Sequence, residues 1–199
     1  MSAALPGSYF DALYSRRDDP WRFESRWYER RKRAITMASL PRERYDSALE
    51  IGCSLGLLTV DLAERCESVL ALDIAKAAVD AARARTAGLR VRVEQADVAE
   101  GLPEGVFDLV VLSEVGYYFA SDGLARLLDE IEDRLPANGT LVACHWRHPV
   151  ADYPLSGDAV HAAIDHLGLT RVTSHLEDDF ILEVWTRDGA SVAARTGML

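Results

Sequence analysis

Leu49-Glu-Ile-Gly-Cys-Ser-Leu-Gly56 joins a short apolar run to a turn of small residues. The run Ser47 to Ile51 predicts a buried strand, and Leu57 to Arg65 carries apolar side chains at helical spacing. Small residues in the turn let a ligand approach the backbone closely, and the N–H groups that open the helix face polar ligand atoms. This order of strand, turn and helix is typical of α/β proteins that bind nucleotides.

Strand and helix patterns alternate from Ser47 onward, which predicts a doubly wound α/β fold with a mostly parallel sheet. The most hydrophobic run is Phe107 to Ser113, so we expect that strand to be central. Thr170 to His175 and Phe180 to Thr186 are too close in sequence for a crossover helix and predict an antiparallel hairpin. The other strands are predicted at 68–72, 91–95 and 140–144, and the other helices at 75–86, 124–135 and 157–167.

Composition limits the possible partners of this chain of 199 residues. A net charge of −10 argues against nucleic acid, because binding its backbone draws mainly on Lys and Arg. The apolar runs fall short of the ~20 residues that a membrane helix needs, so we expect no membrane partner. Residues 1–10 lack the basic and apolar regions of a secretory signal, which favours the cytoplasm. Three widely spaced cysteines predict reduced, mostly buried thiols.

Charge divides the chain into a basic leader and an acidic body. Residues 1–44 have a net charge of +4, whereas residues 45–199 have a net charge of −14. We expect residues 1–44 to form a helical lid, 45–188 the ligand-binding domain, and 189–199 a frayed tail. The basic leader either covers an anionic part of a ligand or forms a solvated charged helix.

The turn after the first strand distinguishes between two enzyme classes. Dinucleotide-binding dehydrogenases need Gly-x-Gly-x-x-Gly/Ala, but here Ser54 and Leu57 occupy the two later positions, which argues against an oxidoreductase. The run instead resembles motif I of class I methyltransferases, Glu/Asp-x-Gly-x-Gly-x-Gly. Glu50, Gly52 and Gly56 match this motif, and Ser54 departs from its central glycine. A turn without a ligand remains the alternative.

The motif I resemblance implies a cofactor and a fold. The cofactor is S-adenosyl-L-methionine, with S-adenosyl-L-homocysteine as product, and Gly52 to Gly56, including Cys53, line its amino-acid half. The implied fold is a Rossmann-like sheet of seven strands in the order 3-2-1-4-5-7-6.

Two acidic residues follow the second and third predicted strands. Asp73 lies 21 residues after Gly52, near the ~20-residue spacing at which an acid accepts ribose hydroxyls. With Ile74 it resembles motif II. Asp97, followed by Val98, stands where methyltransferases commonly place an acid that accepts from the adenine amine. The alternatives are a helix N-cap for Asp73 and an Asx turn for Asp97.

The fourth predicted strand leads into Ser113-Glu-Val-Gly-Tyr-Tyr118, which resembles motif IV. Ligands in open α/β sheets lie outside the carboxyl ends of the strands. We therefore expect Ser113 to contact the cofactor, and Tyr117, Tyr118 and Trp146 to contact the acceptor.

Two segments are similar to the NodS-like methyltransferases, whose type member N-methylates a chitooligosaccharide amine. They are Asp19-Pro-Trp-Arg-Phe23 with Trp27-Tyr-Glu-Arg-Arg-Lys32, and Ser113 to Tyr118; the similarity extends over residues 9–138. It implies N-methylation of a small acceptor such as an amino sugar or oligosaccharide. Separately, we expect a monomer or weak homodimer. No similarity covers His145-Trp-Arg-His-Pro149, so O-methylation of another metabolite and a non-catalytic binding module stay open.

The leader also has a helical pattern from Ser25 to Leu40. A spacing of three or four residues places Tyr28, Arg31, Ile35 and Ala38 on one face. We expect Ile35 and Ala38 to hold this face against the core. Arg31 then pairs with the methionine carboxylate and Tyr28 faces the sulfonium, or else Arg31 is one of four solvated basic residues.

Methyl transfer is an in-line displacement at an activated carbon, so alignment is the main requirement. A base helps when the acceptor loses a proton, and our candidates are Glu114, His145 and His148. Buried structural histidines are the alternative for the last two. Three-residue spacing without an adjoining carboxylate disfavours a metal pair, and we expect no metal.

Overall fold

Seven strands form one sheet in the computed structural model, which describes residues 4–199. The strands run in the order β3-β2-β1-β4-β5-β7-β6, as predicted. All neighbours pair in parallel except β7, which pairs antiparallel with both β5 and β6. The bounds are β1 Tyr45–Ile51, β2 Cys66–Asp73, β3 Val91–Gln95, β4 Leu109–Ser113, β5 Thr140–Trp146, β6 Thr170–Leu176 and β7 Phe180–Thr186.

Helices follow β1, β2, β4 and β5 and pack against the sheet, whereas β3 leads to β4 without a helix between them. The helix bounds are α1 Gly7–Tyr14, α2 Trp27–Ser39, α3 Leu57–Ala63, α4 Lys76–Arg85, α5 Ser121–Arg134, α6 Gly157–Ile164 and α7 Val192–Arg195. A single 3₁₀ turn, Gly116–Tyr118, follows β4. The helices predicted from periodicity are present, with ends that shift by a few residues, whereas α1 was not predicted.

Strand β4 lies in the middle of the sheet, as its hydrophobicity predicted. Both of its faces are buried, so its sequence shows a continuous apolar run rather than an alternating one. Val110 and Leu112 pack in the core that includes α5, while Leu109 and Val111 pack on the opposite face, in the core that includes α3. The sheet is therefore fixed between two apolar layers, and the ends of its strands provide a rigid edge.

The buried face of α2 differs from the predicted one. Its buried residues are Glu29, Lys32 and Thr36, whereas Ala38 is exposed and Ile35 packs only partly against the core. The prediction for Ala38 was wrong because two charged side chains are buried here as an ion pair, Lys32 with Glu29. Hydrophobic periodicity cannot detect such a face.

The three cysteines are free and buried, as predicted. The tail was predicted to be frayed, but it contains α7, which Ser191 caps and which Arg195 ties to Asp188. Within residues 4–199, no helix combines the length and apolar character needed to cross a membrane.

Asp108 connects the leader to the start of the sheet. Its buried carboxylate accepts hydrogen bonds from the backbone N–H groups of Asp46 and Ser47, at 3.1 and 2.9 Å, and pairs with Arg42 at 2.8 Å. The side chain thus satisfies three donors where the leader enters β1.

We predict that Asp108→Ala lowers the free energy of unfolding by about 3 kcal/mol, because buried donors lose their partner. The exposed pair of Lys76 and Asp80 provides a control, since Asp80→Ala should change stability by only ~0.5 kcal/mol. Urea unfolding measures both variants. Equal losses would contradict an anchoring role for Asp108.

Candidate active site

An open cleft of about 1120 Å³ lies at the carboxyl ends of β1 to β4, under the leader. Many of the predicted site residues line it: Glu50, Gly52, Cys53, Ser54, Asp73, Ile74, Asp97, Val98, Ser113, Glu114 and Tyr118. The other predicted residues do not line it: Tyr28, Arg31, Gly56, Tyr117, His145, Trp146 and His148. The cleft thus brings together the residues that follow four adjacent strands.

Gly52 and Gly56, in the turn after β1, both lack space for a Cβ, but only Gly52 lines the cleft. Gly52 has a φ of 79°, and a Cβ there would lie 2.2 Å from Val115 Cγ2. Gly56 has a φ of 75°, and a Cβ there would lie 3.0 Å from the Cα of Ala82 in α4. Gly56 therefore permits close packing of helices and does not contact the cleft, contrary to its predicted role.

Ser54 occupies the position where motif I has its central glycine. Its φ is 48°, in the left-handed region that favours glycine. Its hydroxyl lies 2.8 Å from the Tyr14 hydroxyl, at the end of α1. The departure from the motif is therefore matched by a contact that links the leader to the turn.

Asp73 lies at the end of β2 and joins the turn to α4. One carboxylate oxygen accepts from the N–H of Ser54 at 2.8 Å, and the other accepts from the N–H of Ala75 at 2.9 Å. Burial raises its pKa, and these two backbone donors oppose that shift. A carboxylate offers about four lone-pair sites, so Asp73 keeps acceptor capacity toward the cleft.

Asp97 also has a local structural role, because its carboxylate accepts from the N–H of Ala99 at 2.9 Å in an Asx turn. Its side chain is still part of the cleft wall. Asp97 thus combines its predicted structural alternative, the Asx turn, with a position beside the cleft. Asp73 is not the N-cap of α4, because Ala75 occupies that position and no side chain caps the helix.

Glu50 lies at the buried floor of the cleft. Its carboxyl group accepts from the Thr59 hydroxyl at 2.5 Å, and Glu50 is 3% exposed. Burial raises the pKa of Glu50 to about 8, although the hydrogen bond from Thr59 opposes the shift. Near neutral pH the group therefore lies close to its titration point.

Glu114 follows β4 with a left-handed φ of 59°, a strained conformation for a non-glycine residue. One carboxylate oxygen lies 2.6 Å from Lys32 Nζ. The other oxygen accepts from the Tyr117 hydroxyl and, at 3.1 Å, from the N–H of Trp146. These partners hold the Glu114 side chain in one orientation.

Lys32 is a cleft residue that the sequence analysis missed. Its ammonium lies 3.1 Å from Glu29 and 2.6 Å from Glu114, and its side chain is 7% exposed. Burial alone would lower the pKa of Lys32, but the carboxylates of Glu114 and Glu29 outweigh it and raise the pKa. The side chain is thus a buried cation that bridges the leader and the end of β4.

The structure does not support a role for His145 as a base. This residue is completely buried, and its Nε2 accepts from the N–H of Gly116 at 3.1 Å. Its Nδ1 lies 3.1 Å from His161 Nε2, and His161 Nδ1 lies 2.9 Å from Glu183. Burial lowers the pKa of His145 well below its usual value. Its contacts make it a structural histidine that supports the 3₁₀ turn.

Three more of the predicted catalytic and acceptor residues, His148, Tyr117 and Trp146, also lie away from the cleft wall. His148 is exposed and bonds Asp179 at 2.8 Å. Tyr117 is buried and stacks on Tyr153, while Trp146 packs edge-on against Tyr28. Tyr118 alone of the predicted acceptor residues faces the cleft.

Arg31 was predicted to face the cofactor, but its guanidinium forms a bidentate ion pair with Glu177, with N–O distances of 2.8 and 2.5 Å. Arg33, two positions along α2, lines the cleft instead. It donates to the carbonyl oxygen of Phe23 at 3.1 Å and lies 3.8 Å from Asp61. The sequence prediction therefore placed Arg31 on the wrong side of α2, since the arginine that lines the cleft is Arg33.

Aromatic side chains of the leader form the outer wall of the cleft: Phe10, Tyr14, Trp21 and Phe23. Trp21 and Phe23 stack with ring centroids 5.5 Å apart. Trp21 and Phe23 lie in a loop, where no periodic pattern predicts side-chain roles, and Phe10 and Tyr14 lie on α1, which was not predicted.

Comparison with known proteins gives the family. The sequence pattern that defines Nodulation protein S (NodS) matches residues 13–153, most of the chain. The chain belongs to the NodS family of class I methyltransferases. Nodulation protein S of Rhizobium tropici is 35% identical over 112 residues, which are 55% of this chain and 47% of the relative. The chain thus spans about half the length of the curated NodS relatives that it matches.

Solved structures share the fold over more of the chain. N-methyltransferase NodS from Bradyrhizobium japonicum WM9, in complex with S-adenosyl-L-homocysteine, has a TM-score of 0.81 at 24% identity. That match covers 90% of this chain and 96% of the NodS chain. A candidate methyltransferase from Pseudomonas syringae is 46% identical, with a TM-score of 0.73, and the match covers 81% of this chain and all of that one.

We predict that Glu50→Gln flattens the dependence of stability on pH. The folded-state pKa of about 8 exceeds the unfolded value of ~4.3, so the folded chain binds an extra proton between these values. The stabilisation from Glu50 is complete below pH ~4.3 and is lost as pH rises through 8. The free energy of unfolding of the wild type should therefore fall by ~2 kcal/mol or more between pH 5 and pH 8, and that of the variant should not show this fall.

Urea unfolding of the chain without ligand at pH 5, 6, 7 and 8 measures this difference. Glu64→Gln, at an exposed position after α3, is the control and should follow the wild-type curve. Parallel curves for wild type and Glu50→Gln would contradict the raised pKa.

Proposed function

We propose that this protein transfers the methyl group of S-adenosyl-L-methionine to an amino group of a small acceptor, such as an amino sugar or oligosaccharide. One observation carries the proposal: Asp97, Asp73, the Gly52 turn and Glu114 follow four neighbouring strands and line one cleft. Family membership supports the transfer chemistry, and the structure of NodS with S-adenosyl-L-homocysteine supports the choice of cofactor.

The chemistry of these residues fits the cofactor part by part. Asp73 has lone pairs left for the ribose hydroxyls, and Asp97 can accept from the adenine amine. The turn at Gly52 and Ser54 leaves room for the methionine chain. Arg33, the cleft-lining arginine, suits the methionine carboxylate through a charge-assisted pair.

The cofactor supplies a methyl group already activated by a sulfonium. The protein therefore needs to hold the acceptor nitrogen in line with this carbon and to exclude water, and alignment can contribute ~7 kcal/mol or more. The aromatic residues of the leader would cover the reactants, and Glu114, held by Lys32, lies beside β4 where the acceptor enters. An amine fits better than a hydroxyl, because a carboxylate is too weak a base to ionise an alcohol.

We predict that Arg33→Ala weakens the binding of S-adenosyl-L-homocysteine by about tenfold or more, because the carboxylate loses a cation. Arg31→Ala is a matched control from the same helix and should bind within about twofold of wild type, since Arg31 pairs with Glu177. Isothermal titration measures both variants.

A second ligand sharpens this test. Methylthioadenosine lacks the amino-acid end, so Arg33→Ala should bind it as the wild type does. An equal loss for both ligands would mean that Arg33 supports the fold of the cleft rather than the carboxylate.

We expect the wild type to transfer labelled methyl from S-adenosyl-L-methionine to deacetylated chitooligosaccharides and to glucosamine. The fully N-acetylated oligosaccharide is the control, because it has hydroxyls but no free amine. Label in the acetylated compound would indicate O-methylation. Binding of S-adenosyl-L-homocysteine without transfer to any compound would indicate a non-catalytic module.

A further inference from the structure

The cleft has an acidic end that the proposed cofactor does not use. The ends of β3, β2 and β1 would hold adenine, ribose and the methionine chain, which leaves the end of β4 for the acceptor. Glu29, Lys32 and Glu114 lie there, with a formal net charge of −1 and all in the cleft wall. Such a cluster favours a protonated amine over a neutral or anionic group.

Of the two carboxylates, that of Glu114 already has hydrogen-bond partners on both oxygens. Its oxygens accept from Lys32, from the Tyr117 hydroxyl and from the N–H of Trp146. A backbone N–H cannot become an acceptor, so a proton on that oxygen would cost Glu114 a hydrogen bond in a buried region. Glu114 is therefore suited to holding Lys32 rather than to taking up a proton.

Glu29 has free capacity. Among residues 4–199, its carboxylate has one hydrogen-bond or ion-pair partner, Lys32, which its Oε2 approaches at 3.1 Å. Its other oxygen has no partner in that part of the chain, although the residue is 7% exposed and lines the cleft. A carboxylate with an unused oxygen, facing a cavity from a fixed helix, is arranged to accept a proton.

We propose that Glu29 is the catalytic residue that accepts the proton of the acceptor amine, an inference that rests on the proposed function. The amine enters as an ammonium and gives one proton to the Glu29 carboxylate. The N–H bonding electrons become the nitrogen lone pair. This lone pair then forms the bond to the methyl carbon, while the S–C bond breaks and its electrons stay on sulfur. Glu29 returns its proton to water after the product leaves.

The surroundings of Glu29 define its expected pH dependence. Lys32, Arg33 and Tyr28 face it from α2, Glu114 from the segment after β4, and Cys144 from β5. Burial is the largest influence and raises the pKa of Glu29; Glu114 also raises it, while Lys32 and Arg33 lower it. The rate should therefore fall on the acid side through a pKa above the usual range for glutamate.

The experiment compares wild type with Glu29→Gln in methyl transfer to a deacetylated chitooligosaccharide, across a range of pH. We expect kcat to fall about 10²-fold and the acid limb of the profile to disappear. Binding of S-adenosyl-L-homocysteine should stay within about twofold of wild type. Glu104→Gln, at an exposed position outside the cleft wall, is the control and should keep the wild-type profile.

Two further variants separate proton transfer from folding. Glu29→Asp keeps a carboxylate and should retain more activity than Glu29→Gln, and formate should restore part of the activity of Glu29→Ala. Absence of both effects would overturn the proposal, as would wild-type kcat and an unchanged profile in Glu29→Gln. A tenfold loss of S-adenosyl-L-homocysteine binding with kcat retained would make Glu29 a cofactor ligand instead.

Failure of the proposed function has a different signature. A wild type that binds S-adenosyl-L-homocysteine but methylates no amine would overturn the transfer reaction and, with it, the role of Glu29. An active wild type with an equally active Glu29→Gln would overturn the role of Glu29 alone.

Discussion

The ammonium of Lys32, buried between Glu29 and Glu114, is the interaction on which the arrangement of the cleft depends. Burying a charge costs several kcal/mol unless a partner of opposite sign is held close to it. Here the two partners come from different parts of the chain, one from α2 and one from the strained residue after β4. A single cation therefore fixes the leader against the sheet and fixes the orientation of Glu114 at the same time.

The fold could be predicted because its signals are local and repeated. Apolar periodicity, turn residues and the lengths of connections gave the strands and the hairpin, and the family resemblance gave the order of the strands in the sheet. The acids after β2 and β3 could be found for the same reason, since a spacing in sequence becomes a position at one edge of a parallel sheet.

The predictions that failed concern long-range partners. Arg31 and Lys32 are neighbours in sequence, but one pairs with Glu177 on the surface and the other with Glu114 in the interior. No local pattern distinguishes them, because the partner decides which charge can be buried. The prediction that His145 is a base was wrong for a similar reason. Its two ring nitrogens form hydrogen bonds with Gly116 and His161, which lie far away in sequence.

The basic leader has its complement within the chain itself. Arg31, Lys32, Arg33 and Arg42 pair with acids of the body, at Glu177, Glu114, Asp61 and Asp108. These contacts differ in their access to counterions: Arg31 is 39% exposed, whereas Lys32 is 7% exposed. With a Debye length of about 8 Å at physiological ionic strength, dissolved salt screens the outer pair and hardly reaches the inner one. Concentrated salt thus loosens the rim of the leader first, while its inner attachment persists.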